Sequence, residues 1–118
     1  MANVYKNIQA VIDQAASDVD MYTVPDETTS IIKTVNLYNT HSGNLDVDIT
    51  VYDASSTTDF EFDTVTVNAS NSVDLLTFNN LLMLEAGDIL KMQTPTANVV
   101  KMTASVLQIT RPPEVTTT

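Results

Sequence analysis

The sequence contains no cysteine and no tryptophan, and only two glycines, one histidine and five basic residues among its 118. Each shortage removes a class of chemistry. Without cysteine there is no disulfide framework and no thiolate metal site. With Gly43 and Gly87 as the only glycines, no glycine-rich loop is available to cradle a phosphate. A catalytic base needs a nucleophile and an orienting partner around it. Nothing is spaced that way around the single histidine, His41, which reads as a loop residue. The basic residues Lys6, Lys33, Lys91, Lys101 and Arg111 are scattered against 15 acidic ones, giving a formal net charge of -10. Binding a phosphate backbone takes clustered lysine and arginine, so nucleic acid is not an expected partner. Such a surface suits solubility and would accept a basic partner. No apolar run approaches the ~20 residues of a membrane span. Met1 leads into Ala-Asn-Val-Tyr-Lys without a basic segment or apolar stretch, so neither a membrane contact nor a signal peptide is expected.

What the sequence does have is alternation. Its length suits one domain, residues 1–118, able to bury roughly two-thirds of its unfolded surface. The segment from Ile31 to Asp53 reads as one β-hairpin with its turn at Asn39–Asn44. In the first arm Ile31, Val35 and Leu37 share a side, interrupted by Lys33 near an edge. In the second, Leu45, Val47, Ile49 and Val51 face one way and Asp46, Asp48, Thr50 and Tyr52 the other, the pattern of a half-buried strand.

Further strands are expected on either side. Residues 4–12 fit a strand with Val4, Ile8, Ala10 and Ile12 on one face, although Ile8, Val11, Ile12 and Ala15 would also share a helix face. Val19 to Val24 is a short strand ended by Pro25. Phe60 and Phe62 fall out of step with Val65 and Val67, which predicts a bulge near Asp63-Thr64. Val73 to Leu84 reads as two short strands split at Asn79-Asn80. Glu85–Asp88 is a tight turn in which Gly87 can take positive φ. Ile89–Gln93 is a strand, and so is Val99–Thr110, where Leu107 and Ile109 switch parity. Arg111-Pro112-Pro113 stops pairing. A short polar arm at the N-terminus and a loose tail over 111–118 complete the chain. About eight or nine short strands with polar turns between them predict an all-β protein, a single antiparallel β-sandwich of jelly-roll-like type.

No cofactor is expected. The one candidate metal set is acidic: Asp46 and Asp48 on one strand face, and Asp59, Glu61 and Asp63 on the next. Hairpin pairing could bring them together, and hard cations such as Ca²⁺ take carboxylate oxygens. The plainer reading is the wet face of two strands. Paired carboxylates also serve glycoside hydrolysis, but the chain lacks a tryptophan platform. With no nucleophile–base pair to propose, an enzyme is not expected. Met83, Met92 and Met102 read as core filler.

Thr23-Val24-Pro25, Thr29, Ile31-Ile32-Lys33, Asn39, Val47-x-Ile49-x-Val51-Tyr52-Asp53, Leu84 to Lys91 and Ala104 to Ile109 form an order that resembles the small β-sandwich virion proteins of tailed bacteriophages, those of marine and cyanobacterial hosts in particular. The resemblance spans about residues 4 to 110. Members usually carry a glycine and a lysine soon after the proline, where this chain has Asp26-Glu27-Thr28. The resemblance implies a structural role in a phage particle, assembled in the host cytoplasm, and carries no catalytic residue. The role it most suggests is a capsid decoration or cement protein bound to the major capsid protein or another virion protein. A symmetric homo-oligomer, a trimer for example, would fit. The alternatives are a neck, tail or fibre component, and a carbohydrate- or calcium-binding module.

Overall fold

The structure, a computed structural model, describes residues 2–76 and 81–110. Nine strands follow one another: β1 Ala2–Val11, β2 Val19–Thr23, β3 Thr28–Asn39, β4 Leu45–Asp53, β5 Thr58–Val67, β6 Ser72–Leu76, β7 Leu82–Leu84, β8 Ile89–Gln93 and β9 Val100–Thr110. They form two antiparallel sheets. The first runs β1-β9-β3-β6, with β7 also paired to β3; the second runs β2-β8-β4-β5. β6 pairs with Val35–Tyr38 and β7 with Ser30–Ile32, so these two short strands line the same edge of β3 end to end. Taken as one interrupted strand, they reduce the chain to eight positions arranged in two four-stranded layers. The chain crosses from layer to layer at nearly every connection, which is the jelly-roll arrangement. The expected all-β sandwich is therefore present.

Period-two alternation turns one side of each strand inward. Ile32, Val35 and Leu37 of β3 meet Val47 and Ile49 of β4, Leu90 and Met92 of β8, and Met102, Ala104 and Val106 of β9 in one buried core. Ile12, just past β1, is fully buried at its end. Strand β1 confirms the extended reading of residues 4–12, and β8 has the bounds expected of it.

The hairpin at the centre of the sequence reading is a correction. β3 and β4 are not paired; they belong to different sheets. Both bury an apolar face, but they bury it against each other across the core. Alternation identifies which face is wet and is silent on whether two such faces lie side by side or opposed. The segment after β3 is consequently an arch between layers, and Asn39, fully buried, holds it. Its amide nitrogen donates to the carbonyls of Gly43 at 2.9 Å and Val67 at 3.0 Å, while its oxygen accepts the His41 N–H at 2.8 Å.

Three parity readings also change. Lys33 is an extra residue on β3, skipped between the Ile32↔Val106 and Thr34↔Ser105 pairs. It puts Ile32 inward and Ile31 outward, and it does not sit at the sheet edge. On β9 the alternation does not break after Val106. Gln108 takes the next inward position and is buried, while Leu107 and Ile109 stay on the outer side. Its amide donates to the Tyr22 hydroxyl at 2.6 Å, which is also bonded to Ser30 Oγ at 2.7 Å. A polar residue at a core position is tolerated because its partners are supplied.

The bulge expected in β5 is present one step earlier than placed. Pairing shifts between Ile49↔Asp63 and Thr50↔Glu61, leaving Phe62 as the extra residue. Phe60, Val65 and Val67 then align with Val51, Val47 and Leu45. Gly87 has φ 86, as its turn requires. Ala2 and Asn3 are part of β1, paired with Thr110 and Ile109, and do not form a separate arm. The expected break at Asn79-Asn80, the stop at Arg111-Pro112-Pro113 and the tail over 111–118 lie outside the described residues.

Candidate functional site

Every buried side-chain nitrogen or oxygen among the described residues has a hydrogen-bond partner. Asp88 is one such closed arrangement: its two carboxylate oxygens accept the backbone N–H of Ala54 and of Glu85, each at 2.9 Å. It ties the β4–β5 turn to the β7–β8 turn. His41 is occupied within its own loop, its Nδ1 accepting the Gly43 N–H at 3.0 Å.

Two clefts open beside Met83. One, of about 570 Å³, is lined by Glu27, Thr29, Glu85, Ala86 and Ile109; the other, of about 400 Å³, by Val51, Phe62, Leu82 and Asp88. Among the described residues, no histidine or lysine lines either. Glu27 holds a left-handed backbone with φ 58. Glycine is the residue for which that conformation is free of strain.

The outer face of the second sheet collects acid. In register, one cross-strand row reads Asp20, Lys91, Thr50, Glu61 and the next Thr23, Ile89, Tyr52, Asp59. Lys91 Nζ lies 3.5 Å from Asp59 and 5.2 Å from the Tyr52 ring centroid. Farther along, the Thr66 hydroxyl donates to Asp46 at 2.6 Å and the Thr64 hydroxyl to Asp48 at 3.0 Å. The β4–β5 pairing does join the two candidate carboxylate sets on one hairpin, but threonines, not acids, stand opposite Asp46 and Asp48. The bulge moves Asp63 opposite Ile49, out of line with Asp59 and Glu61, and its carboxylate accepts the Thr64 N–H at 2.8 Å. Among the described residues no three of His, Cys, Asp or Glu are grouped to hold an ion.

At the adjoining turn Asp53 has a displaced pKa. It is lowered, first by the Ser55 hydroxyl, then by the Ser56 hydroxyl, with the Ser55 N–H adding to both and desolvation working against them. The hydroxyls donate at 2.8 and 3.0 Å.

The outer face of the first sheet is different. Its rows read Asn3, Ile109, Thr29; then Tyr5, Leu107, Ile31, Met83; then Asn7, Ser105, Thr34; then Gln9, Thr103, Asn36, Asp74; then Val11, Lys101, Tyr38, Ser72. The second row is an unbroken apolar stripe across four strands. Tyr5 is 72% exposed and Met83 64%, with Leu107 and Ile31 half-buried between them. The reading of Met83 as core filler is corrected here, whereas Met92 and Met102 are buried. Lys33 from the β3 bulge reaches over β9 to place its Nζ 5.0 Å from the Tyr5 ring centroid. Asp74, the only carboxylate in these rows, accepts the Asn36 amide at 2.8 Å. Sequence reasoning missed this stripe. Its members come from four separated segments, and only the register aligns them.

The topology defines a class, the jelly-roll β-sandwich. No protein-family model matches the chain and no curated protein matches it in sequence. Among solved structures, the fold is similar to a chain of the Bacillus endospore appendages, a novel family of disulfide-linked pili. That match has TM-score 0.51 at 14% identity, over 92% of this chain and 88% of that one. A chain of the virus-like particle of the extra small virus of the giant freshwater prawn Macrobrachium rosenbergii matches with TM-score 0.49 at 17% identity, over 92% and 79%. The CBM22-1–GH10 modules of the Clostridium thermocellum xylanase 10B, complexed with xylohexaose, match with TM-score 0.44 at 14% identity, over 95% of this chain and 23% of that one. At such identities the likeness is one of fold.

Proposed function

We propose that this chain is a structural protein of a tailed-phage particle, a capsid decoration protein that works through protein–protein contacts and catalyses nothing. The observation that carries the proposal is the division of its surface. One broad face is studded with Asp20, Asp46, Asp48, Asp59 and Glu61, and the other is nearly neutral with an apolar stripe. Surfaces of that second kind, low in charge and carrying tyrosine and methionine, suit protein contacts. The acidic face suits a basic patch on a lattice, where complementary charge speeds docking and sets its register. Jelly rolls serve as capsid domains. The sequence resemblance to phage virion proteins points the same way, and the pilus protein sharing the fold is itself part of an assembly. With no cysteine in the chain, such an assembly would be held by faces and edges.

The test is the copy number of the protein in purified particles, measured by quantitative mass spectrometry against the major capsid protein. The proposal expects a near-stoichiometric ratio. A ratio of a few per cent would move the chain to the neck, tail or fibres. Its absence from particles would overturn the virion reading.

A further inference from the structure

We propose that the outer face of the first sheet is a self-association surface, occupied by the same face of a second copy related by a two-fold axis. The axis runs along the strands, between β9 and β3. Such an axis turns the sheet over and exchanges its edges, so each cross-strand row meets itself reversed. In the apolar row, Tyr5 then faces the partner's Met83 and Leu107 faces the partner's Ile31. The four residues are thus self-complementary, as a closed two-fold interface requires. In the row Val11, Lys101, Tyr38, Ser72, the same operation sets the Lys101 ammonium against the partner's Tyr38 ring, a favourable cation–π pairing. In the row Gln9, Thr103, Asn36, Asp74, it sets amides against a carboxylate and a hydroxyl against an amide. No row brings two like charges together.

The charge distribution favours this occupant. A chain of net charge -10 resists meeting its own kind. In the face-to-face pair, the carboxylates of Asp20, Asp46, Asp48, Asp59 and Glu61 all lie on the two far sides, with two sandwiches between them. The contact itself contains Lys33, Lys101 and the already hydrogen-bonded Asp74, and is bordered at one end by Glu27 and Glu85, which line the cleft beside Met83. Stacking the apolar face on the acidic face instead would strip water from several carboxylates that have few cations to meet.

The area suffices. Four strands at ~4.8 Å spacing and about ten residues of ~3.3 Å rise give a footprint of roughly 600 Å² per copy. The pair then buries about 1,200 Å², the lower end of specific interfaces. The pairing is independent of which lattice the chain serves, so it stands or falls apart from the virion reading.

Sedimentation velocity on the purified chain over about 1–100 µM tests it. The expected result is a monomer–dimer equilibrium that tightens with added salt, because salt screens the residual repulsion. Tyr5→Glu and Met83→Glu each weaken the dimer by about thirtyfold or more, the loss typical of a hot-spot contact. Both side chains are largely exposed in the single copy, so the melting temperature stays near that of the parent. Phe60→Glu, on the inner side of β5 and away from this face, leaves the dimer intact. Combining Tyr5→Glu with Met83→Lys in one chain restores pairing, because the two positions meet across the axis. A parent chain that stays monomeric at every concentration overturns the proposal. So does a dimer indifferent to Tyr5→Glu and Met83→Glu, or a double variant no tighter than the single ones.

Discussion

Asn39→Ala should be among the most damaging changes of a polar residue in this protein. The side chain is fully buried and makes three hydrogen bonds, two as donor and one as acceptor. Truncation leaves the Val67 carbonyl without its partner in a buried place, at a cost of about 1–3 kcal/mol. The bonds to Gly43 and His41 lie in a partly exposed loop, where water takes over some of the loss, so each adds about 0.5–1 kcal/mol. The total is about 2–5 kcal/mol, against a stability on the order of 6–18 kcal/mol for a chain of this size. At roughly 3–6 °C per kcal/mol, the melting temperature should fall by about 6–30 °C. Urea denaturation read by circular dichroism checks the free energy directly, with the slope against denaturant unchanged if the native state stays compact. Asn39→Asp should be worse at neutral pH, because its carboxylate would face two carbonyls and be buried. Its folded pKa would lie above the unfolded one, so the penalty is small below about pH 4 and grows as the pH rises. A melting temperature for Asn39→Ala within about 2 °C of the parent would mean that the arch stands without this side chain, and the argument would fail.

Other changes probe separate parts of the fold. Ile49→Asp, placing a charge in the centre of the core, should leave no cooperative melt, and a soluble variant that melts normally would refute the inward assignment of β4. Gly87→Ala should cost about 1–2 kcal/mol, since a Cβ there meets Ala54 Cβ at 3.0 Å on a backbone with φ 86, whereas Glu27→Gly should gain about 0.5–1 kcal/mol by relieving its left-handed strain; paired thermal melts read both signs. Asp53 should titrate below the ordinary 3.8 by NMR and move up when Ser55 and Ser56 become alanine; its depressed folded pKa makes its contribution present above about pH 4 and lost as the pH falls through the folded value. An unchanged midpoint in that double variant would show that the hydroxyls do not hold the carboxylate.

The elements were legible in the sequence because their local signals are strong. Leu45, Val47 and Ile49 against Asp46 and Asp48 could hardly be anything but a half-buried strand, and Gly87 marks its turn unaided. Partnership was not legible. The same alternation that would place β3 and β4 in a hairpin is equally satisfied when they face each other across a core, and the deciding contact is the Asn39 amide reaching Val67, 28 residues on. Lys33 misled because a one-residue bulge reverses every side chain before it, exchanging the roles of Ile31 and Ile32. Gln108 misled in the opposite way. Its polarity suggested a broken pattern, while Tyr22 and Ser30, remote in sequence, were waiting to pair with it. The stripe of Tyr5, Ile31, Met83 and Leu107 was invisible for the same reason: each residue is unremarkable in its own segment, and register alone makes them a surface.

The pairing of β1 with β9 along nearly the whole length of both strands has a kinetic consequence. Among the described residues β9 is also the only link between β1 and β3, so the first sheet cannot close until β9 has left the ribosome. Until then β1 has no neighbour, and the inner faces of β3 and β4 have an incomplete partner layer. Loop-closure entropy is met before the contacts that reward it, which places this topology among the slow two-state folders, on the order of milliseconds to seconds. Folding of this sheet is thus expected to begin in earnest only once β9 has emerged. Lys6 on the waiting strand and Asp59, Glu61 and Asp63 on the opposite edge then act as gatekeepers, discouraging nascent chains from pairing edge to edge while they wait.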